Sequence, residues 1–148
     1  MQYQEPAGLP EPDSRSAAHS SKVGEYIAHR IRESGGSISF AEFMHDALYA
    51  PGLGYYSAGA VKFGAAGDFV TAPEISPVFG RVLARQVAEV LRELGQGDVL
   101  EFGAGSGKLA VDVLGALSNL NALPDRYWIL EVSPDLQERQ RTRIEAEL

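Results

Sequence analysis

The chain has 148 residues, 45% of them hydrophobic and 22% charged, with a formal net charge of −7 and no cysteine. That balance fits one modest globular domain with a tail, and it excludes a disulfide scaffold, a thiolate zinc site and a cysteine nucleophile. An acidic chain without clustered Lys and Arg argues against a nucleic-acid partner, and no apolar run approaches the ~18 residues of a membrane span.

Residues 1–21 hold Pro6, Pro10 and Pro12 among small polar residues, which predicts a flexible arm with too little apolar surface to fold. The arm has no basic segment followed by an apolar one, and Glu5, Glu11 and Asp13 count against a transit peptide. With the absence of cysteine, this leads to the expectation of a cytoplasmic protein.

Residues 22–96 read as a helical segment carrying a glycine-rich loop. Val23, Tyr26, Ile27, Arg30 and Ile31 share one helical face, which predicts a helix over 21–34 stopped by Gly35-Gly36. A second helix is expected over 40–49: Ser39 and Glu42 have capping-box spacing, Ile38 can pack on Phe43, and Pro51 follows. His45 within it reads as an ordinary surface residue. The stretch 51–75 carries five glycines among Tyr55, Tyr56, Phe63 and Phe69, which predicts an ordered, special loop with room for short β pieces at 54–57 and 68–71. A long packing helix then starts at the Ser76 cap with Pro77 in the first position and closes at Gly95. Its wide apolar face comprises Val78, Phe79, Val82, Leu83, Val87, Val90, Leu91 and Leu94.

From residue 97 the pattern becomes strand, glycine turn, helix, strand. Val99-Leu100-Glu101-Phe102 reads as a buried strand, and 108–120 as a helix with Leu109, Val113, Leu114 and Leu117 toward the sheet. Residues 127–132 form the second strand, with Trp128 in the core. Ser133-Pro134 opens a last helix with Leu136, Gln140, Ile144 and Leu148 in one stripe. This is a βαβ unit with a parallel strand pair.

The turn Gly103-Ala104-Gly105-Ser106-Gly107 lacks the spacing of a phosphate-binding P-loop, and Lys108 stands where a dinucleotide fingerprint has its third glycine. Glu-x-Gly-x-Gly-x-Gly suits S-adenosylmethionine (SAM) better. Glycines let the backbone pass close beneath the ligand, Glu101 lies near its ammonium, and Glu131 at the next strand end can accept from both ribose hydroxyls. The expected cofactor residues are Glu101, Gly103, Ala104, Gly105, Gly107, Glu131 and Val132.

The block Gly67-Asp68-Phe69-Val70-Thr71-Ala72-Pro73-Glu74-Ile75-Ser76, followed by Phe79-Gly80, resembles the MidA-type SAM-dependent methyltransferases. So do residues 38–44, the Gly54-Tyr55-Tyr56 turn, the glycine loop and Glu131-Val132-Ser133-Pro134. The family includes a mitochondrial arginine methyltransferase that assists respiratory complex I assembly. The resemblance implies a Rossmann-like α/β methyltransferase in which the helical segment and the 67–76 loop close over cofactor and substrate, with Asp68, Thr71, Pro73 and Glu74 lining the site. A purely structural glycine loop is the alternative for that block. Family members continue well beyond Leu148, so a truncated chain is expected, bearing only the first βαβ unit of an incomplete sheet.

The expected activity is methyl transfer to a protein, on arginine, with Asp68 and Glu74 as the candidate catalytic carboxylates and no metal. A catalytically incomplete SAM-binding or assembly protein and an NAD-dependent dehydrogenase are the alternatives. Neither the methyl acceptor nor the oligomeric state is legible in the sequence.

Overall fold

The computed structural model describes residues 11–59 and 70–148, and the chain divides into two compact units, Met1–Gly54 and Tyr55–Leu148. In the first, α1 spans Ser14–Glu33 and α2 spans Phe40–Tyr49. Helix α1 thus starts at Ser14 and takes in residues expected to be part of the flexible arm. Asp13 explains the earlier start: its side chain accepts from the Ser16 N–H at 2.7 Å, and Ala17 and Ala18 are strong helix formers. The helix ends in a Schellman arrangement, with the Gly36 N–H on the Ile31 carbonyl, the Gly35 N–H on that of Arg32, and Gly35 at φ 83°.

The capping box of α2 forms as expected. Ser39 Oγ accepts from the Glu42 N–H at 3.2 Å, and the Ser39 N–H donates to the Glu42 carboxylate at 2.8 Å. Those bonds hold the Glu42 carboxyl below the usual glutamate range. Arg30, from the apolar stripe of α1, reaches the buried Asp46 of α2 at 3.3 Å. No strand forms at 54–57, where the chain turns. The Gly54 N–H bonds back to the Ala50 carbonyl at 2.7 Å, and a Cβ on Gly54 would lie 2.5 Å from the Ala50 nitrogen. Backbone folded this tightly on a helix end cannot extend.

The second unit contains α3 (Ala72–Ile75), α4 (Pro77–Leu94), β1 (Val99–Phe102), α5 (Lys108–Asn119), β2 (Tyr127–Leu130) and α6 (Pro134–Glu147). It is an α/β arrangement in which β1 and β2 pair in parallel, Val99 opposite Tyr127 and Phe102 opposite Leu130. Ser76 caps α4 by accepting from the Val78 N–H at 3.2 Å. The core lies between α4 and α5, where Ala84 and Ala88 meet Val113, Leu117 and Ala122. Small residues permit that approach: a Cβ on Gly80 would come within 2.5 Å of the Asp112 Cβ.

Packing here departs from the sequence reading at three places. The buried face of α4 is Gly80, Ala84, Ala88 and Leu91, whereas Val78, Phe79, Val82, Leu83, Val90 and Leu94 are exposed. Strand β1 is not buried on both sides: Val99 and Glu101 are half-buried, but Leu100 and Phe102 are exposed. Trp128, expected in the core, lies on that same open face. Its indole N–H donates to Asp98 at 2.8 Å, and the Arg126 guanidinium stands 5.6 Å from the ring centre. A short apolar run predicts a strand but cannot say how many faces are covered. Strand β2 also stops at Leu130, because the Glu131 side chain takes the Val132 and Ser133 N–H groups.

Candidate cofactor-binding site

Strand β1 delivers the chain into the glycine turn, and the Gly103 N–H bonds the Leu130 carbonyl at 2.9 Å, which ties the turn to the end of β2. Gly103, Gly105 and Gly107 all have positive φ, at 65°, 56° and 79°. At Gly103 a side chain would be strained although no atom stands within 4 Å of its Cβ position. Gly107 carries a second constraint, since its Cβ would press on Gln140 Cα at 3.2 Å. It is the N-cap of α5, so the turn runs directly into that helix.

A cleft of about 290 Å³ opens beside the turn. Thr71, Pro73 and Glu74 form one wall, Glu101 and Phe102 at the end of β1 another, and residues 103–106 with Lys108 and Leu109 the floor. A larger hollow of about 420 Å³ lies against α4 and α5, lined by Arg81, Arg85 and Asp112, and includes none of the turn residues.

Glu101 is the half-buried carboxylate of the cleft. Burial pushes its carboxyl above the usual range, opposed by the Tyr127 hydroxyl, which donates to Oε2 at 2.8 Å. Burial beside that carboxylate likewise pushes the Tyr127 phenol up. Glu74 is held differently. The Ser106 hydroxyl donates to its Oε1, and Arg143 of α6 donates to Ser106 Oγ at 2.8 Å while standing 4.0 Å from Glu74. Lys108 Nζ is paired with Asp112 at 2.8 Å.

Of the residues expected at the site, the cleft brings together Thr71, Pro73, Glu74, Glu101, Gly103, Ala104 and Gly105, with Gly107 behind them. Glu131 and Val132 are not on its wall. Val132 is exposed, and Glu131 Oε1 accepts the Val132 and Ser133 N–H groups at 2.9 and 3.0 Å. Glu131 Oε2 accepts from Gln140 at 3.2 Å, and the same amide donates to the Gly105 carbonyl at 3.0 Å. Asp68 lies outside the described residues. Ser106, Lys108, Tyr127, Gln140 and Arg143 were not singled out by sequence reasoning. Three left a trace there: Ser106 as a member of the glycine turn, Lys108 as the residue that breaks the dinucleotide fingerprint, and Gln140 as a polar residue within an apolar stripe.

Among the described residues, no group of three or more His, Asp or Glu side chains could hold a metal ion, and no helix is long and apolar enough to cross a membrane.

Residues 82–148 match a family described as "putative S-adenosyl-L-methionine-dependent methyltransferase". Similar curated proteins include the mitochondrial protein arginine methyltransferase NDUFAF7 homolog of Drosophila melanogaster, 33% identical over 94% of this chain and 32% of its own length. The mitochondrial protein arginine methyltransferase NDUFAF7 of Danio rerio is 36% identical over 84% of this chain and 31% of its own length. A solved structure from Burkholderia thailandensis, described as a "likely methyl transferase" bound to S-adenosyl-homocysteine, superposes with a TM-score of 0.80 at 45% identity. It is covered over 95% of this chain and 37% of the other. The chain therefore spans about a third of the length of the relatives it matches. The expectation of a cytoplasmic protein is overturned by these comparisons, because the curated relatives carry mitochondrial names.

Proposed function

We propose that the chain, whose residues 82–148 match a family of putative SAM-dependent methyltransferases, forms the cofactor-binding part of a methyltransferase and that its βαβ unit opens a Rossmann-like sheet. The observation that carries this reading is the meeting of the glycine turn, Glu101 and the 71–74 segment at one cleft. Three positive-φ glycines leave the backbone bare where a ligand must lie close, and a half-buried carboxylate suits a cationic group. The solved relative bound to S-adenosyl-homocysteine supports the same ligand class.

SAM, when bound, supplies an electrophilic methyl group on a sulfonium. The residues of this chain hold and orient. Glu101 takes the ammonium of the methionine end, Gly103, Ala104 and Gly105 run beneath the ligand, and Thr71 and Pro73 close the opposite wall. Gly107 starts α5 so that the turn stays compact. Glu131, with Val132 beside it, would hold the ribose only by leaving its present bonds to Val132, Ser133 and Gln140; Oε2, with one donor, is the freer oxygen.

The acceptor is a protein arginine, in keeping with the names of the curated relatives. A guanidinium stays protonated until it reacts, so carboxylates must orient it and receive its proton. Glu74 and Asp68 are assigned that task, with positioning supplying most of the acceleration. Calorimetric titration of the chain with S-adenosyl-homocysteine and with NAD tests the cofactor, and radiolabelled methyl transfer from SAM into lysate protein tests the activity. Binding of S-adenosyl-homocysteine alone is the expected result. Binding of NAD in its place would overturn the reading. Cofactor binding without transfer would reduce it to a SAM-binding module.

A further inference from the structure

We infer that Tyr127 is a positioning residue for the methionine end of SAM, its hydroxyl aiming the Glu101 carboxylate at the ligand's ammonium; this rests on the cofactor reading above. Tyr127 and Glu101 occupy adjacent parallel strands, Val99 opposite Tyr127 and Glu101 opposite Ile129, so both point to the same half-buried face. A diagonal neighbour of this kind is within reach of an aromatic side chain. The Tyr127 ring packs against the core of Ala84, Ala88, Val113 and Leu117. Its hydroxyl is therefore placed by the core and not by solvent. It donates to Glu101 Oε2 at 2.8 Å, which leaves Oε1 for the cleft that Glu101 lines.

The charges facing Glu101 make this bond more than a polar side chain finding a partner. On α5, Lys108 faces the same cleft but is engaged by Asp112 at 2.8 Å. On α3, Glu74 adds a second negative charge, bonded to Ser106. Glu101 has no cationic partner among the described residues. Burial pushes this carboxylate toward its neutral form, and the tyrosine hydroxyl is the group that opposes this. Tyr127 thus both orients the carboxylate and keeps it charged for an ammonium ligand.

The test is calorimetric titration of the whole chain with S-adenosyl-homocysteine and with 5′-methylthioadenosine, which keeps the adenosine thioether and lacks the amino acid. Each titration is repeated over a pH series for the unmodified chain, Tyr127→Phe and Glu101→Gln. In the unmodified chain, S-adenosyl-homocysteine should bind more weakly in acid as Glu101 protonates. Tyr127→Phe should move that midpoint to higher pH and weaken S-adenosyl-homocysteine at neutral pH about tenfold, leaving methylthioadenosine unchanged. Glu101→Gln should remove the acid limb. Equal weakening of both ligands in Tyr127→Phe, or an unmoved midpoint, would make Tyr127 merely structural and overturn the inference. An acid limb surviving in Glu101→Gln would overturn it too. If the unmodified chain bound neither ligand, the cofactor reading itself would fall, and this inference with it.

Discussion

Gly103 shows how one residue can be required without being crowded. Its φ of 65° lies in the left-handed region, yet nothing stands within 4 Å of where a Cβ would be. A substitution there fails through backbone strain of ~1–2 kcal/mol, larger for a branched side chain. Gly103→Val is expected to abolish S-adenosyl-homocysteine binding by calorimetry and to leave the circular dichroism of the helices intact. Glu101 poses the opposite problem. Burial holds its carboxyl above the ordinary value of 4.5, so the charged form is disfavoured in the folded state. Its contribution to stability is present below that value and is lost as pH rises through the folded-state value. Glu101→Gln should therefore raise the melting temperature at neutral pH, with the gain appearing above pH 4.5 and levelling off once Glu101 is fully ionised. A protein stabilised by removing this carboxylate, yet weakened in ligand binding, would show the strain of a site kept for function.

At the scale of elements, the signals that were legible in the sequence are those that act within a few residues. The Ser39–Glu42 box, the Gly35-Gly36 stop, the Ser76 and Pro77 start and the Gly95 close all lie where their spacing places them, because each satisfies backbone groups of its own helix. The packing face of α4 was not legible in this way. Large apolar residues outnumber small ones along the helix, but the contact with α5 is made through Gly80, Ala84 and Ala88, since only small side chains let the two backbones approach. Gly80→Ala puts a methyl group 2.5 Å from the Asp112 Cβ and should destabilise the second unit by about 1–3 kcal/mol in urea denaturation. Val82→Ala, on the exposed side of the same helix, should change the midpoint far less.

Across the whole molecule, Leu100, Phe102, Trp128 and Leu130 share one exposed face of the strand pair. A contiguous apolar face on a two-stranded sheet favours association between copies. The purified chain should show concentration-dependent self-association by analytical ultracentrifugation. The double substitution Leu100→Lys with Leu130→Lys should shift it toward monomer. An unchanged mass distribution would mean that this face takes no part. The net charge of −7 opposes association and should make it stronger as salt is added.

The sequence by itself determined the order of the two strands and of the longer helices, the N-caps of α2, α4 and α6 and the glycine turn, because these rest on hydrogen bonds and backbone geometry among near neighbours. It missed the Asp13 cap of α1 and the short helix α3. It also placed Thr71, Pro73, Glu74, Glu101 and the turn glycines as candidates for one site; of these, all but Gly107 line one cleft. Tertiary structure alone decided that Trp128 is exposed, that Glu131 turns toward Gln140, and that Ser106 links Glu74 to Arg143. It alone placed the Tyr127 hydroxyl on Glu101. Each of these depends on which distant side chain occupies the facing position, and the pairing of β1 with β2 and of α4 with α5 sets that position. No local pattern of apolar and polar residues encodes it.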